Sequence, residues 1–147
     1  MIHRFEFSID IRAGKTAIWK ALWDDASYRD WASVFFEGSY AISEHWEEGS
    51  KVHFLGPDGN GIYSLIAEHR SGRIMRFRHI AAVKAGEEQT LDDESRSWSG
   101  ATETYALIEI EDGYRLAIEI DVLEEHLEYM KSTFPKALER IKENSLS

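Results

Sequence analysis

Any chemistry in this chain has to come from histidines, carboxylates and tyrosines. The 147 residues contain no cysteine, which excludes thiolate nucleophiles, disulfides, zinc fingers and iron–sulfur clusters together. Six histidines are present: His3, His45, His53, His69, His79 and His126. None falls in HExxH or another familiar ligand spacing, so neither a metal site nor a cofactor is expected. No GxSxG, GxGxxG or P-loop occurs. The stretch Gly56-Pro57-Asp58-Gly59-Asn60-Gly61 lies between two strands, not ahead of a helix, and reads as a hairpin turn. His79 is the leading candidate for chemistry. It shares a strand face with Met75 and Phe77 and should point inward, where burial and neighbours tune its charge. General acid–base work would need a partner in reach, and Tyr63 or Tyr40 is the expected one. His79 and Tyr63 are therefore the catalytic candidates. The alternative for His79 is a hydrogen-bonded core histidine.

The aromatic inventory is the second signal. There are 5 Trp, 6 Tyr and 7 Phe, more amphipathic side chains than a plain aliphatic core needs. Tyr40, Phe54, Tyr63, Phe77, His79 and Trp98 are expected on an inward sheet face. Trp31, Phe35 and Phe36 should lie at a helical end, and Met130 and Phe134 on the last helix. Together these eleven residues predict the lining of a mostly apolar pocket with a few orienting polar groups. The alternative is that the aromatics fill the space and pair with each other.

The elements that must position them follow from periodicity. His3, Phe5, Phe7, Ile9 and Ile11 alternate with polar residues, which predicts a half-buried strand. Lys15 to Trp23 reads as a helix with Ile18, Ala21 and Leu22 on one side. Asp24 and Asp25 suit the N-cap of a second helix over 26–32. Strands are predicted over 38–46, 51–55, 62–69, 73–80, 98–110 and 114–122. An Asp112-Gly113 turn joins the last two. Arg76 and Arg78 are expected on the outer face opposite glutamates of the 103–109 strand. Tyr105, Leu107 and Ile74 would then form an outer apolar strip, a possible dimer surface. The acidic segment 83–97 predicts a long loop, either a functional lid or a mobile connection. Leu127, Met130, Phe134, Leu138 and Ile141 predict a final helix of about four turns, with Pro135 kinking it or starting a second segment. The order is β-α-α-β-β-β-β-β-β-α. It predicts an α+β fold: a curved antiparallel sheet of six to seven strands, covered by the C-terminal helix.

Composition bounds the function class. The length fits one domain, 1–147, able to bury roughly 70% of its unfolded surface. Net charge is −10, without the basic footprint of a nucleic-acid binder. The acidity is uneven: residues 1–82 carry 10 basic and 11 acidic groups, and residues 83–147 carry 7 and 16. An acidic loop rimming the pocket would favour neutral or cationic ligands. No run of about 18 apolar residues exists, so no membrane span is expected. The absence of a signal peptide and of cysteine fits a cytoplasmic protein.

In order along the chain, these segments resemble the START-like (SRPBCC, Bet v 1-like) superfamily, in the branch of the activator of heat-shock-protein-90 ATPase homologue family. The resemblance rests on Ile18-Trp19, Ala21-Leu22, Asp24 and Trp31, on the hairpins of 49–80, on 98–121, and on FPKALERIKEN at 134–144. Trp23 departs from it, standing where the family commonly has a small polar residue. The resemblance implies a helix-grip fold with an apolar cavity between sheet and last helix. It implies binding of a small hydrophobic or aromatic molecule there, expected to be neutral. One alternative is a cyclase, dehydratase or hydrolase acting on a polyketide-like substrate in the same cavity. A second is a chaperone-interacting, stress-response module. A monomer or a homodimer fits equally.

Overall fold

The computed structural model describes residues 2–147. Strand β1 (Ile2–Ile11) carries its alternation faithfully, with Phe5, Phe7, Ile9 and Ile11 turned to the interior. Helix α1 (Lys15–Trp23) has the predicted bounds. Helix α2 (Asp25–Ala32) follows directly, with Asp24 at its N-cap position, although the Asp24 side chain makes no capping bond. Strands β2 (Tyr40–Ile42), β3 (Lys51–Leu55), β4 (Gly61–Arg70) and β5 (Ile74–Lys84) form a meander. After a two-residue strand β6 (Glu87–Glu88) and a short helix α3 (Asp93–Arg96) come β7 (Thr102–Ile110), β8 (Gly113–Leu123) and helix α4 (Leu127–Leu146).

The sheet is antiparallel, in the order β1-β8-β7-β5-β4-β3-β2, with β6 paired to β5 outside that path. The expected sheet of seven strands is therefore present, with one short strand added. The predicted strand over 38–46 shrinks to three residues at the sheet's edge. Beyond it the chain turns at Trp46, which adopts a left-handed φ of 54°. Helix α4 packs on α1, α2 and β1, and its buried stripe of Phe134, Ala137, Leu138 and Ile141 faces the sheet's concave side. Pro135 does not divide it. The carbonyl that loses its helical partner belongs to Lys131, an exposed residue.

Two irregularities curve the sheet. Ile66 pairs with Phe77 and Glu68 with Arg76, leaving Ala67 extra on β4. Ser64 pairs with His79 and Tyr63 with Ala81, leaving Ile80 extra on β5. Each inserted residue bends its strand and shifts its facing by one. Beyond Ile80, Ala81 and Val83 therefore turn to the convex face, and both are buried there. Helix α3 packs on β5, and β6 pairs with its end.

That arrangement corrects the expected lid. Segment 83–97 completes β5, forms β6 and α3, and Glu88 bonds Lys51 and His53 on the convex side. Gly61 is fixed by close approach: a Cβ there would lie 1.9 Å from the Phe54 carbonyl oxygen. Among the described residues, no helix is long and apolar enough to cross a membrane.

Candidate functional site

A chamber of about 180 Å³ lies between the concave face and helices α2 and α4. Helix α2 supplies Tyr28, Trp31 and Ala32, and the turn after it supplies Phe35 and Ser39. The sheet contributes Phe54, Ile62, His79, Glu103 and Tyr105, and α4 adds Met130 and Phe134. Trp31 is held by its indole N–H donating to the Leu22 carbonyl at 3.0 Å. Phe134 stacks on Phe7 at 4.8 Å and meets Phe35 edge-on at 4.9 Å. Trp23 fills the space behind Tyr105, ring centroids 4.9 Å apart, and also meets Phe77 at 5.4 Å. The aromatics thus both pair with each other and leave a small void. An adjoining open depression of about 400 Å³ shares Tyr28, Ser39 and Phe54 and is lipped by Phe36, Gly56, Asp58 and Gly61.

The polar side of the chamber is built on β4, β5 and β7. Fully buried Ser64 places its Oγ 2.6 Å from His79 Nδ1. His79 Nε2 stands 3.6 Å from Glu103 Oε1. The Tyr105 hydroxyl donates to Glu103 Oε2. If the Ser64 hydroxyl donates to Nδ1, the neutral ring carries its proton on Nε2, facing the carboxylate. Burial, followed by the negative charge of Glu103, pushes the Tyr28 phenol far above its ordinary value. The same causes, with the hydrogen bond to Glu103, raise Tyr105. Both phenols stay protonated near neutral pH and act as hydrogen-bonding groups, not as bases.

Of the expected lining, Trp31, Phe35, Phe54, His79, Met130 and Phe134 surround the chamber. The others do not. Tyr63 faces the convex side, because the hairpin register sets Phe54 opposite Ile62 and His53 opposite Tyr63. The Lys51 ammonium lies over its ring at 5.4 Å, and His79 meets Ser64 instead. Tyr40 sits on edge strand β2 beneath the Arg29 guanidinium, 5.0 Å away. Phe77 is fully buried behind Phe54, 5.0 Å between centroids. Phe36 is 61% exposed on the lip of the depression. Trp98 follows α3, and neither it nor the acidic segment rims the chamber.

Glu103 is the residue the sequence reading misplaced. It was expected outside, opposite arginines. Its register partners are Phe77 and Ile120, both interior, and it points inward with them. Arg76 bonds Glu68 at 2.6 Å and Thr104 at 3.1 Å instead. The signal was available. A two-residue loop before Gly113 sets Ile110 against Gly113 and hence Glu103 against Ile120. The same facing dissolves the outer apolar strip, since Tyr105 and Leu107 are core residues. Among the described residues, no group of three His, Asp or Glu side chains is placed to hold a metal ion.

Comparison with solved structures places this architecture. A solution structure of the Aha1 dimer from Colwellia psychrerythraea superposes with a TM-score of 0.68 at 14% identity, covering 95% of this chain and 93% of that one. This is the helix-grip fold, shared with Aha1-like proteins. A crystal structure of a Nitrosomonas europaea protein gives 0.69 at 12% identity, over 97% and 93% of the two chains. DynU16, a protein of the dynemicin biosynthetic locus, gives 0.65 at 9% identity over 95% of this chain and 46% of its own. No protein-family profile matches the chain, and no curated protein sequence matches it significantly. Identities this low carry the fold and nothing finer.

Proposed function

We propose that the chamber binds one compact, largely apolar molecule, ring-sized and bearing a polar group directed at Glu103. The supporting observation is the wall itself: aromatic and aliphatic side chains on most sides, with Glu103, His79 and Tyr105 gathered on adjacent strands β5 and β7. A few convergent polar groups in an apolar recess are what orients a small ligand. The size limits the class. About 180 Å³ is below the range of roughly 300–1,000 Å³ for drug-sized ligands, and near the roughly 150 Å³ cavity that accommodates benzene. A polyketide-sized molecule would have to extend into the outer depression.

The test is a titration with benzyl alcohol followed by NMR of the methionine methyl groups. Saturable shifts of Met130, abolished in a chamber-filling Ala32→Leu variant, are the expected result. No saturable shift at millimolar ligand would overturn the reading.

The Ser64–His79–Glu103 array favours a second reading, proton transfer on a molecule held in the same chamber. Ser64 orients the imidazole, and His79 and Glu103 face each other across a gap just longer than a hydrogen bond. A general base must stand within reach of the proton it takes. Deuterium exchange at the α-carbon of acetophenone in D2O measures this directly. Exchange above the buffer rate, lost in Glu103→Gln, is expected if the array transfers protons. Exchange at the buffer rate removes this second reading and leaves the binding one intact.

A further inference from the structure

The charge pattern of the chamber narrows the ligand class. We infer that the chamber is selective for an organic cation, a protonated amine on a single ring, recognised by Glu103 and the surrounding aromatic faces. The inference rests on the chamber being a binding site.

Three observations carry it. First, neither the chamber nor the adjoining depression has a lysine or arginine in its lining. The acids there are Glu103 inside and Asp58 at the lip. Glu103 is the chamber's only carboxylate, and His79 is the only group of the lining that could oppose its charge. Second, among the described residues Glu103 has no lysine or arginine partner. One oxygen accepts from the Tyr105 phenol, a neutral donor, and the other stands 3.6 Å from His79, outside hydrogen-bond range. Its side chain keeps 28% of its surface accessible and lines the void. A carboxylate removed from water without a cationic partner is costly, and a bound cation offsets that cost. Elsewhere on this sheet the buried or half-buried acids do have cations: Asp121 has Arg4, and Glu68 has Arg76. Third, much of the remaining wall is aromatic. Trp31, Phe35, Phe54 and Phe134 surround the space, and the Tyr28 hydroxyl, without a hydrogen-bond partner among the described residues, stands within the electrostatic reach of Glu103. Aromatic faces around a desolvated ammonium, with one carboxylate to meet its N–H groups, form the recognition chemistry of an amine. The same lining repels an anion.

A matched series tests this at neutral pH: benzylammonium, benzyl alcohol and benzoate, titrated calorimetrically into the wild-type protein and into Glu103→Gln. Benzylammonium should bind about tenfold or more tighter than benzyl alcohol, and Glu103→Gln should erase most of that margin. Benzyl alcohol should lose far less than benzylammonium on that substitution. Benzoate should not bind. If benzyl alcohol or benzoate binds the wild type as tightly as benzylammonium, the cation inference is overturned while the chamber remains a binding site. If the cation preference survives in Glu103→Gln, Glu103 is not its source and the inference fails. If none of the three saturates, both readings fall. The wild-type series decides charge preference even if the variant does not fold.

Discussion

On the convex face of the sheet, acids meet cations. Arg4 bonds Asp121 at 2.9 Å, Arg115 bonds Asp10 at 2.7 Å, and Glu88 takes both Lys51 and His53. On the concave face Glu103 meets a phenol and an imidazole, amid aromatic rings. The residue types are the same, but their solvation differs. Outside, water screens exposed pairs such as Arg115–Asp10, and little depends on them. Inside, the carboxylate's environment is set by a handful of fixed groups, Tyr105 and His79 among them. The proposed pocket therefore differs from the convex face in holding one acid, Glu103, with no lysine or arginine beside it.

The two faces can be pulled apart by substitution. Phe77→Ala should cost about 3–5 kcal/mol in urea denaturation, as expected for emptying a fully buried aromatic site. Tyr63→Ala, on the other face, should cost less than about 1.5 kcal/mol. Equal losses would contradict the assigned facing. Tyr105→Phe removes the hydroxyl that serves Glu103 and should cost about 1–3 kcal/mol. Adding Glu103→Gln should recover much of that, since an amide needs the bond less than a half-buried carboxylate does.

Asp121 separates the faces by pH. Burial alone would raise its carboxyl, but hydrogen bonds from Arg4 and Thr102 outweigh burial and hold it below the ordinary value. The unfolded chain therefore binds this proton more tightly. The stabilisation is complete above an aspartate's usual pKa of about 3.9 and is lost as pH falls through that value toward the lower folded one. Asp121→Asn should cost about 1 kcal/mol near neutral pH, and its denaturation midpoint should fall less steeply than the wild type's under acid conditions. The smallest effect belongs to Arg115→Ala. Its pair with Asp10 is exposed, and the thermal midpoint should stay within scatter of the wild type at physiological salt.

Much of the framework was legible because it follows from local periodicity. The α1 bounds, the facing of β1 and β8 and the stripe on α4 each need only neighbouring residues. The chamber was legible in part. Trp31, Phe35, Phe54, Met130 and Phe134 follow from their positions on elements whose buried side is evident. Tyr63 and Glu103 were misplaced for one reason: facing was assigned from residue type, where hairpin register decides it. Tracing register back from the turns at 56–60 and 111–112 would have turned Tyr63 out and Glu103 in. Ser64 as the partner of His79 was beyond such tracing. The extra residue Ala67 shifts β4 against β5 between the turn at 71–73 and this pair, and nothing local in the sequence marks it.

By itself the sequence determined an antiparallel, helix-covered α+β fold, an acidic surface and the absence of thiol chemistry. Those depend on composition and on periods of two and 3.6, which a chain carries without reference to distant segments. The tertiary structure alone decided the chamber's size, the convex placement of segment 83–97 and the meeting of Ser64, His79, Glu103 and Tyr105. Those groups come from three strands, and their approach depends on bulges and register across the sheet.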